Sequence, residues 1–277
     1  MGMRVTTNIA AINAQRNLVN SQRVMSKSMA QLASGSRINI AADDAAGLAI
    51  SERLKSSIRS ARQANRNAND GISMVQTAEG GLNEIGNIVT RLRELGIQAS
   101  SDTVGDTERG FIHKEVSQLK DEMQRIASTT AWGKTKLLDG STPVFDFQIG
   151  IHNNAEEDRI SYNAAQNNAS LDQLGLAGID YTSKEGAQQS LALLDTAQTS
   201  INGYRANLGA LQNRLASTVD NLAVYEENMS AANSRIRDTD VAQASSEMTR
   251  NNILLQAGTA TLAQANQASQ LALKLIS

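Results

Sequence analysis

Chemistry in a chain begins with its titratable and nucleophilic groups, and here they are few. His113 and His152 are the only imidazoles, and neither belongs to a His-Glu-x-x-His run, the spacing that puts two ring nitrogens on one helix face around zinc. His113 falls in an amphipathic pattern and reads as a helix-surface residue. There is no cysteine, which removes disulfides, thiolate nucleophiles and zinc thiolate sites. The paired acids Asp43-Asp44 and Glu156-Glu157 stand where a helix start or a turn accounts for them through dipole or solvent. Gly80-Gly81 lies inside a helical pattern with no Gly-Lys-Ser/Thr behind it, so it is no phosphate loop. No nucleophile has a base beside it. The expectation is therefore no enzyme, no cofactor and no metal, and the chemistry left is association.

Association is written most plainly between Ala187 and Ile236. Every seventh residue there is apolar: Ala187, Leu194, Ile201, Leu208, Leu215, Leu222, Met229 and Ile236. A second row follows three residues on, through Ala197, Tyr204, Leu211, Thr218, Tyr225 and Ala232, and together they form the a/d seam of a long packed helix. Thr182 with Glu185 is a capping-box start. At about 1.5 Å per residue such a helix runs to roughly 75 Å, wider than a compact domain of this chain length, so it must lie along other long helices.

Those partners are legible elsewhere. Asp43 or Asp44 caps a helix whose seam is Leu54, Ala61, Ala68, Val75, Leu82 and Val89, joined by Ile72, Ala78, Ile85 and Leu92. Gly71 and Gly80-Gly81 weaken it by about 1 kcal/mol each relative to alanine, so packing must hold it. After a break near residues 100–106, Ile112, Val116, Leu119, Met123 and Ile126 mark a shorter antiparallel helix. The period then falls to two. Phe145, Phe147, Ile149 and Ile151 alternate with polar residues, the polar run 153–158 turns back, and a second strand carries Ile160 and Tyr162,. Pro143 stands at the first strand's start,. This hairpin region is expected to cap one end of the rod.

The two ends carry thinner stripes. Ala11 with Ile12, Leu18 with Val19, Met25, and Leu32 with Ala33 recur at sevens,. Around them lie amides and the bases Arg4, Arg16, Arg23, Lys27 and Arg37, with no acid. There is no aromatic for base stacking, and the net charge of −2 gives no reason to expect nucleic acid. The basic start is not followed by a continuous apolar core, so it is no signal peptide. Beyond a phase break at Arg237-Asp238-Thr239-Asp240, a new row runs through Val241, Met248, Leu255, Leu262, Ser269 and Ile276, beside the small residues Ala244, Gly258, Ala265 and Ala272,. No charge occurs between Arg250 and Lys274, but the amides of that stretch argue against a membrane span. The self-assembly seam expected from these rows is Ile12, Val19, Met25, Leu32, Val241, Met248, Leu255, Leu262 and Ile276. Its apolar side chains are few for the number of residues to be ordered. Residues 1–42 and 237–277 are therefore expected to be largely disordered in a monomer and to fold when identical copies complete the burial.

Seven segments, in order along the chain, carry a resemblance. They are Asn8-Ile9-Ala10-Ala11, Ser34-Gly35-Ser36-Arg37-Ile38-Asn39, Asp43 through Ser51, Asp70-Gly71-Ile72-Ser73, Gln76 through Gly80, Arg91-Leu92-Arg93-Glu94-Leu95, and Ile253 to Gln267. In these the chain resembles a bacterial flagellin across nearly its whole length. The resemblance implies a mainly α fold: a long antiparallel helical coiled-coil rod over 43–236 with a small β-hairpin region at about 130–180, and paired terminal helices, 1–42 with 237–277, forming an inner domain. It implies a secreted subunit that self-assembles into an extracellular filament. It also implies type III export, a chaperone on the C-terminal segment, and contact with hook-associated and cap proteins. The variable outer domains of many family members would fall between about Leu171 and Thr182, where there is no room for them. Trp132-Gly133-Lys134 replaces the usual Asn-Gly turn, and Ala268-Ser269-Gln270 replaces a proline, so the last helix can continue. Arg91, Leu95 and Glu115 match the positions that flagellins recognised by the vertebrate Toll-like receptor present, with Arg91 and Glu115 exposed and Leu95 an apolar anchor. Two alternatives stay open at this point: a hook-filament junction or adaptor protein of the same export system, and a soluble coiled-coil binding module.

Overall fold

The computed structural model describes residues 7–141 and 144–274, with the side chains of the last helix as far as Gln267. Ile276 of the expected seam and Pro143 lie outside the described residues. The elements are α1 (Ile9–Ser34), α2 (Ala45–Ala99), α3 (Asp106–Thr129), β1 (Ala131–Trp132), β2 (Thr135–Lys136), β3 (Phe145–Gln148), β4 (Arg159–Tyr162), a 3-10 turn (Ala164–Asn167), α4 (Lys184–Arg237) and α5 (Val241–Lys274). The fold is mainly α, as the periodicities lead one to expect. The described residues divide between two compact units, one within Met1–Ile58 and Asn228–Ser277, the other within Arg59–Glu227.

In the second unit the expected rows are the core. Ala187, Leu194, Ile201, Leu208 and Leu215 of α4 are buried, as are Ala61, Ala68, Val75, Leu82, Val89 and Leu92 of α2 and Ile112, Val116 and Met123 of α3. Leu222, further along the α4 row, is only half-buried. Helices α2 and α4 run antiparallel, and ion pairs at the rim record the register: Arg62 with Glu226 at 2.6 Å and Arg93 with Asp195 at 2.7 Å. One cap differs from expectation. Ser183, not Thr182, caps α4, its hydroxyl accepting the Gly186 N–H at 3.1 Å. Thr182 is held instead by Asp180, whose carboxylate accepts both the Thr182 N–H and its hydroxyl.

The hairpins also depart from expectation in place, though not in kind. β3 and β4 pair antiparallel with Phe145 opposite Tyr162 and Phe147 opposite Ile160, so the alternating apolar face is preserved. They lie along the side of the α2–α4 pair instead of capping an end. The Asn67 amide of α2 donates to the Gln148 carbonyl at 2.9 Å, and Phe147 rests on Gly71, where an added Cβ would stand 3.1 Å from its ring. At Gly81 a Cβ would fall 2.7 Å from Thr130 Oγ1 and 2.8 Å from Leu138 Cδ1. Those glycines, costly in a helix, are the notches through which the β layer sits close to α2. β1 and β2 close through Gly133-Lys134; Gly133 has φ +60° and Lys134 does not have positive φ. That is the demand of a type II′ hairpin turn, met here without the Asn-Gly that the resemblance led one to expect.

Two polar anchors hold the loops. Arg109 is buried; its guanidinium donates to the carbonyls of Ala99 and Ser101 and to Asp106, each at 2.9 Å. It thereby serves the orphan carbonyls at the end of α2. Tyr181 is fully buried in the loop before α4, and its hydroxyl donates to the Leu92 carbonyl at 2.9 Å. Burial pushes its phenol up to about 12, and burial raises Tyr162 too. An unfolded tyrosine ionises near pH 10. Both groups therefore bind protons more tightly when folded, and stability present below pH 10 is lost as pH climbs through 10 to about 12,. In Tyr181→Phe the alkaline fall in urea midpoint is expected to be shallower than in the parent chain, with Tyr162 leaving a residual slope. At neutral pH the same variant loses about 1 kcal/mol for the missing hydrogen bond. An unchanged alkaline slope would contradict the assignment.

Candidate assembly surface

The unit built from the two ends is a thin antiparallel pair of α1 and α5. Each helix is started by a side-chain oxygen: Asn8 Oδ1 accepts the Ala11 N–H at 3.1 Å, and Asp240 Oδ1 accepts those of Ala242 and Gln243 at 2.9 and 3.1 Å. Where α1 ends, Gly35 adopts φ +68°, the left-handed geometry that closes a helix. The two connectors then meet. Arg37 N–H donates to the Arg237 carbonyl at 2.6 Å, Thr239 N–H donates to the Gly35 carbonyl at 3.0 Å, and the Arg37 guanidinium reaches the Ile236 carbonyl at 2.8 Å. Asp44 caps α2 by accepting the Gly47 N–H at 2.8 Å. Asp43 accepts from Lys27 and from the Asn39 and Ile40 amides, contacts that hold its carboxyl below the usual range, Lys27 most of all.

The seam between the helices has a period of 3.5. Ala11, Ala14, Leu18, Ser21, Met25, Ser28 and Leu32 of α1 are wholly or partly covered, as are Ala244, Met248, Asn251, Leu255, Gly258, Leu262 and Ala265 of α5. Met25, Leu32, Met248, Leu255 and Leu262 of the expected seam are thus in it. Ile12, Val19 and Val241 are not: they stay 48%, 50% and 63% exposed. The reason is rotational. Ile12 and Val19 each follow a residue of the same row by one position, about 100° around the helix, so Ala11 and Leu18 take the seam and their neighbours turn out.

The outward residues form patterns of their own. Ile9, Ile12 and Val19, with Arg16 and Arg23 continuing the spacing, make an exposed row on α1, while Ile253 and Leu254 stand exposed on α5. Beside them a shallow face of α5 is lined by Ala242, Ser246, Thr249 and Ile253. The terminal segments are helical, and each is covered along one narrow strip.

Arg91 and Glu115 are brought together as expected, their side chains half exposed and their ion pair 2.9 Å long; Arg91 also holds Glu94 at 2.9 Å. The carboxylates raise the Arg91 guanidinium further. Leu95 corrects the expectation of an apolar anchor: it is 2% exposed and belongs to the core, because it continues the buried row of Leu92 and Ala99. His113 is half-buried on α3, its Nδ1 accepting the Tyr181 N–H at 3.3 Å. Among the described residues no group of three or more His, Cys, Asp or Glu side chains could hold a metal, and no helix is long and apolar enough to cross a membrane. Arg109 and Tyr181 escaped sequence reasoning, which looks for repeats; both act through single contacts with distant backbone carbonyls.

Residues 5–142 match the bacterial flagellin N-terminal helical region and residues 191–276 the bacterial flagellin C-terminal helical region. Between them only residues 143–190 remain, so the variable middle domain is lacking. The chain is 42% identical over 274 residues to a flagellin of Halalkalibacterium halodurans, covering 99% of this chain and 100% of that one. It is 42% identical over 287 residues to a flagellar filament core protein of Brachyspira hyodysenteriae, covering 99% and 100%. The crystal structure of Bacillus cereus flagellin matches with TM-score 0.51 and 29% identity, over 61% of this chain and 94% of that one. With both helical regions matched in order and a relative similar along its full length, the chain belongs to the bacterial flagellin family, whose members are structural proteins and not enzymes.

Proposed function

We propose that this chain is the structural subunit of a bacterial flagellar filament and that it polymerises through the outward rows of α1 and α5. One observation carries the mechanism: large apolar side chains, Ile9, Ile12, Val19, Val241, Ile253 and Leu254, stand exposed on helices that already have a partner. Exposed apolar side chains recurring along a helix face mark a place for another molecule, and a copy of the same chain offers a matching row. The ends are exported unfolded and complete their folding when neighbours cover those rows. In the cytoplasm an export chaperone holds the C-terminal segment, and hook-associated and cap proteins meet the subunit at the filament's ends, outside the cell. Seeded growth tests the whole reading: monomer added to filament fragments elongates them without limit under electron microscopy. Growth that stops after one layer would indicate a junction protein, and no growth would remove the filament reading.

The exposed Arg91–Glu115 pair on adjacent helices is the part of the expected receptor patch open to a partner. A vertebrate Toll-like receptor would meet a charged hot spot there, without Leu95. In a receptor-reporter assay with monomer, Arg91→Ala is expected to lower activation about tenfold or more, the scale of an interface anchor. Equal activation by the variant would remove the patch. Leu95→Ala would act by loosening the core instead, and would show as a lowered melting temperature.

A further inference from the structure

A heptad row on each of two antiparallel helices leaves a choice, because sliding one helix by seven residues again sets apolar positions against apolar positions. In α1 the alternatives to Leu18 are Ala11 and Met25; in α5 the alternatives to Gly258 are Asn251 and Ala265. The pairing adopted sets a branched leucine into the glycine notch, where a slide would bring Ala11 or the flexible Met25,. A Cβ placed on Gly258 would stand 2.9 Å from Leu18 Cδ2 and 3.1 Å from Leu18 Cγ, so Leu18 occupies the space that any other residue would fill. Glycine in the interior of a helix works against the helix, and the three atoms nearest this position all belong to Leu18. Asn251, by contrast, turns its amide to the Glu247 carbonyl at 2.8 Å and carries a polar side chain into the seam. At the far end Asn8 reaches across, its amide donating to the Ala265 carbonyl at 2.9 Å.

We infer that Leu18 and Gly258 are the register-determining pair of the terminal helices. The connector clip between Arg37 and Arg237 holds the pair at its base. Gly258 lies about 25 Å along α5 from its start at Val241, at about 1.5 Å per residue,, and two separated points set both register and rotation. A slide of one heptad shifts the outward rows against one another by about 10 Å. Ile12 and Val19 would then no longer stand level with the same part of α5, and an incoming copy would meet a mismatched strip. This inference rests on the filament reading above, since the register matters only if the paired ends assemble.

Seeded elongation with three full-length chains tests it. Gly258→Leu fills the notch and is expected to slow elongation about tenfold or more, as overpacking does at a tight site. Gly258→Leu with Leu18→Ala moves the knob to the other helix and is expected to recover growth to within about threefold of the parent. Thermal unfolding of all three chains checks that residues 59–227 still melt alike. Elongation of Gly258→Leu at the parent rate overturns the inference and leaves the filament reading intact. A failure of the double variant to recover also overturns it, because the defect would then be general crowding. A parent chain that does not elongate overturns the filament reading beneath it.

Discussion

A chain trimmed of residues 1–42 and 237–277 is expected to add nothing to filament fragments, while residues 59–227 keep their fold. That outcome follows from where burial lies: the second unit closes its own core, with single apolar residues such as Ile97, Phe111 and Val224 exposed on it, while the α1–α5 pair is covered along one strip only. A full-length chain gives the sharper version. Ile12→Asp with Val19→Asp leaves the α1–α5 seam intact, since both positions are about half exposed and face away from it. In the assembled state each carboxylate would leave water for an apolar contact, and pairing with Arg16 or Arg23 one turn along the same row would not repay the desolvation. Elongation is expected to fall more than a hundredfold, with the melting temperature changed little. Ala11→Asp is the contrasting substitution, because Ala11 shares the strip that α5 covers; it disturbs the pair itself. Elongation by the doubly trimmed chain, or by the double aspartate chain at the parent rate, would show that the contact lies elsewhere.

Leu194→Ala is expected to cost about 2–5 kcal/mol, the range for truncating a leucine in a packed core, and to lower the melting temperature by roughly 5–15 °C. Leu194 is fully buried in the core of the second unit. Leu222 is four heptads along the same row and equally apolar in sequence, but half-buried. Leu222→Ala should cost less than half as much, because water already reaches part of the side chain and can enter the space left. Calorimetry on the two variants separates tertiary burial from periodicity. Equal losses would mean that membership of the row, not its place in the packed unit, determines the contribution.

The same distinction runs through the whole molecule. The α4 row, the α2 and α3 rows, the strands carrying Phe145, Phe147, Ile160 and Tyr162, and the break at Arg237 to Asp240 were all legible in the chain. Each is a local periodicity, and the hydrogen bonds that create it link residues near in sequence. Caps were legible to within a residue, since Asp44 acts as expected while Ser183 takes the place read for Thr182; Asp240, read only as part of the phase break, turns out to cap α5. Neighbouring apolar residues were harder. Leu18 and Val19 satisfy the same seven-residue spacing, and nothing within α1 says which of them meets α5.

By itself, then, the sequence determined that there are long amphipathic helices with two strands between them, and that both ends are apolar strips of unusual thinness. Tertiary structure alone decided which way each strip faces. It turned Ile12 and Val19 outward, took Leu95 from the surface into the core, laid the hairpins along α2 at Gly71 and Gly81, and set Leu18 into the notch at Gly258. The physical reason is that a helix shows its period to the reader of a sequence but not its rotation. Rotation is chosen by the side chains of another segment, more than two hundred residues away in the case of Leu18 and Gly258, and those come into contact only when the chain is folded.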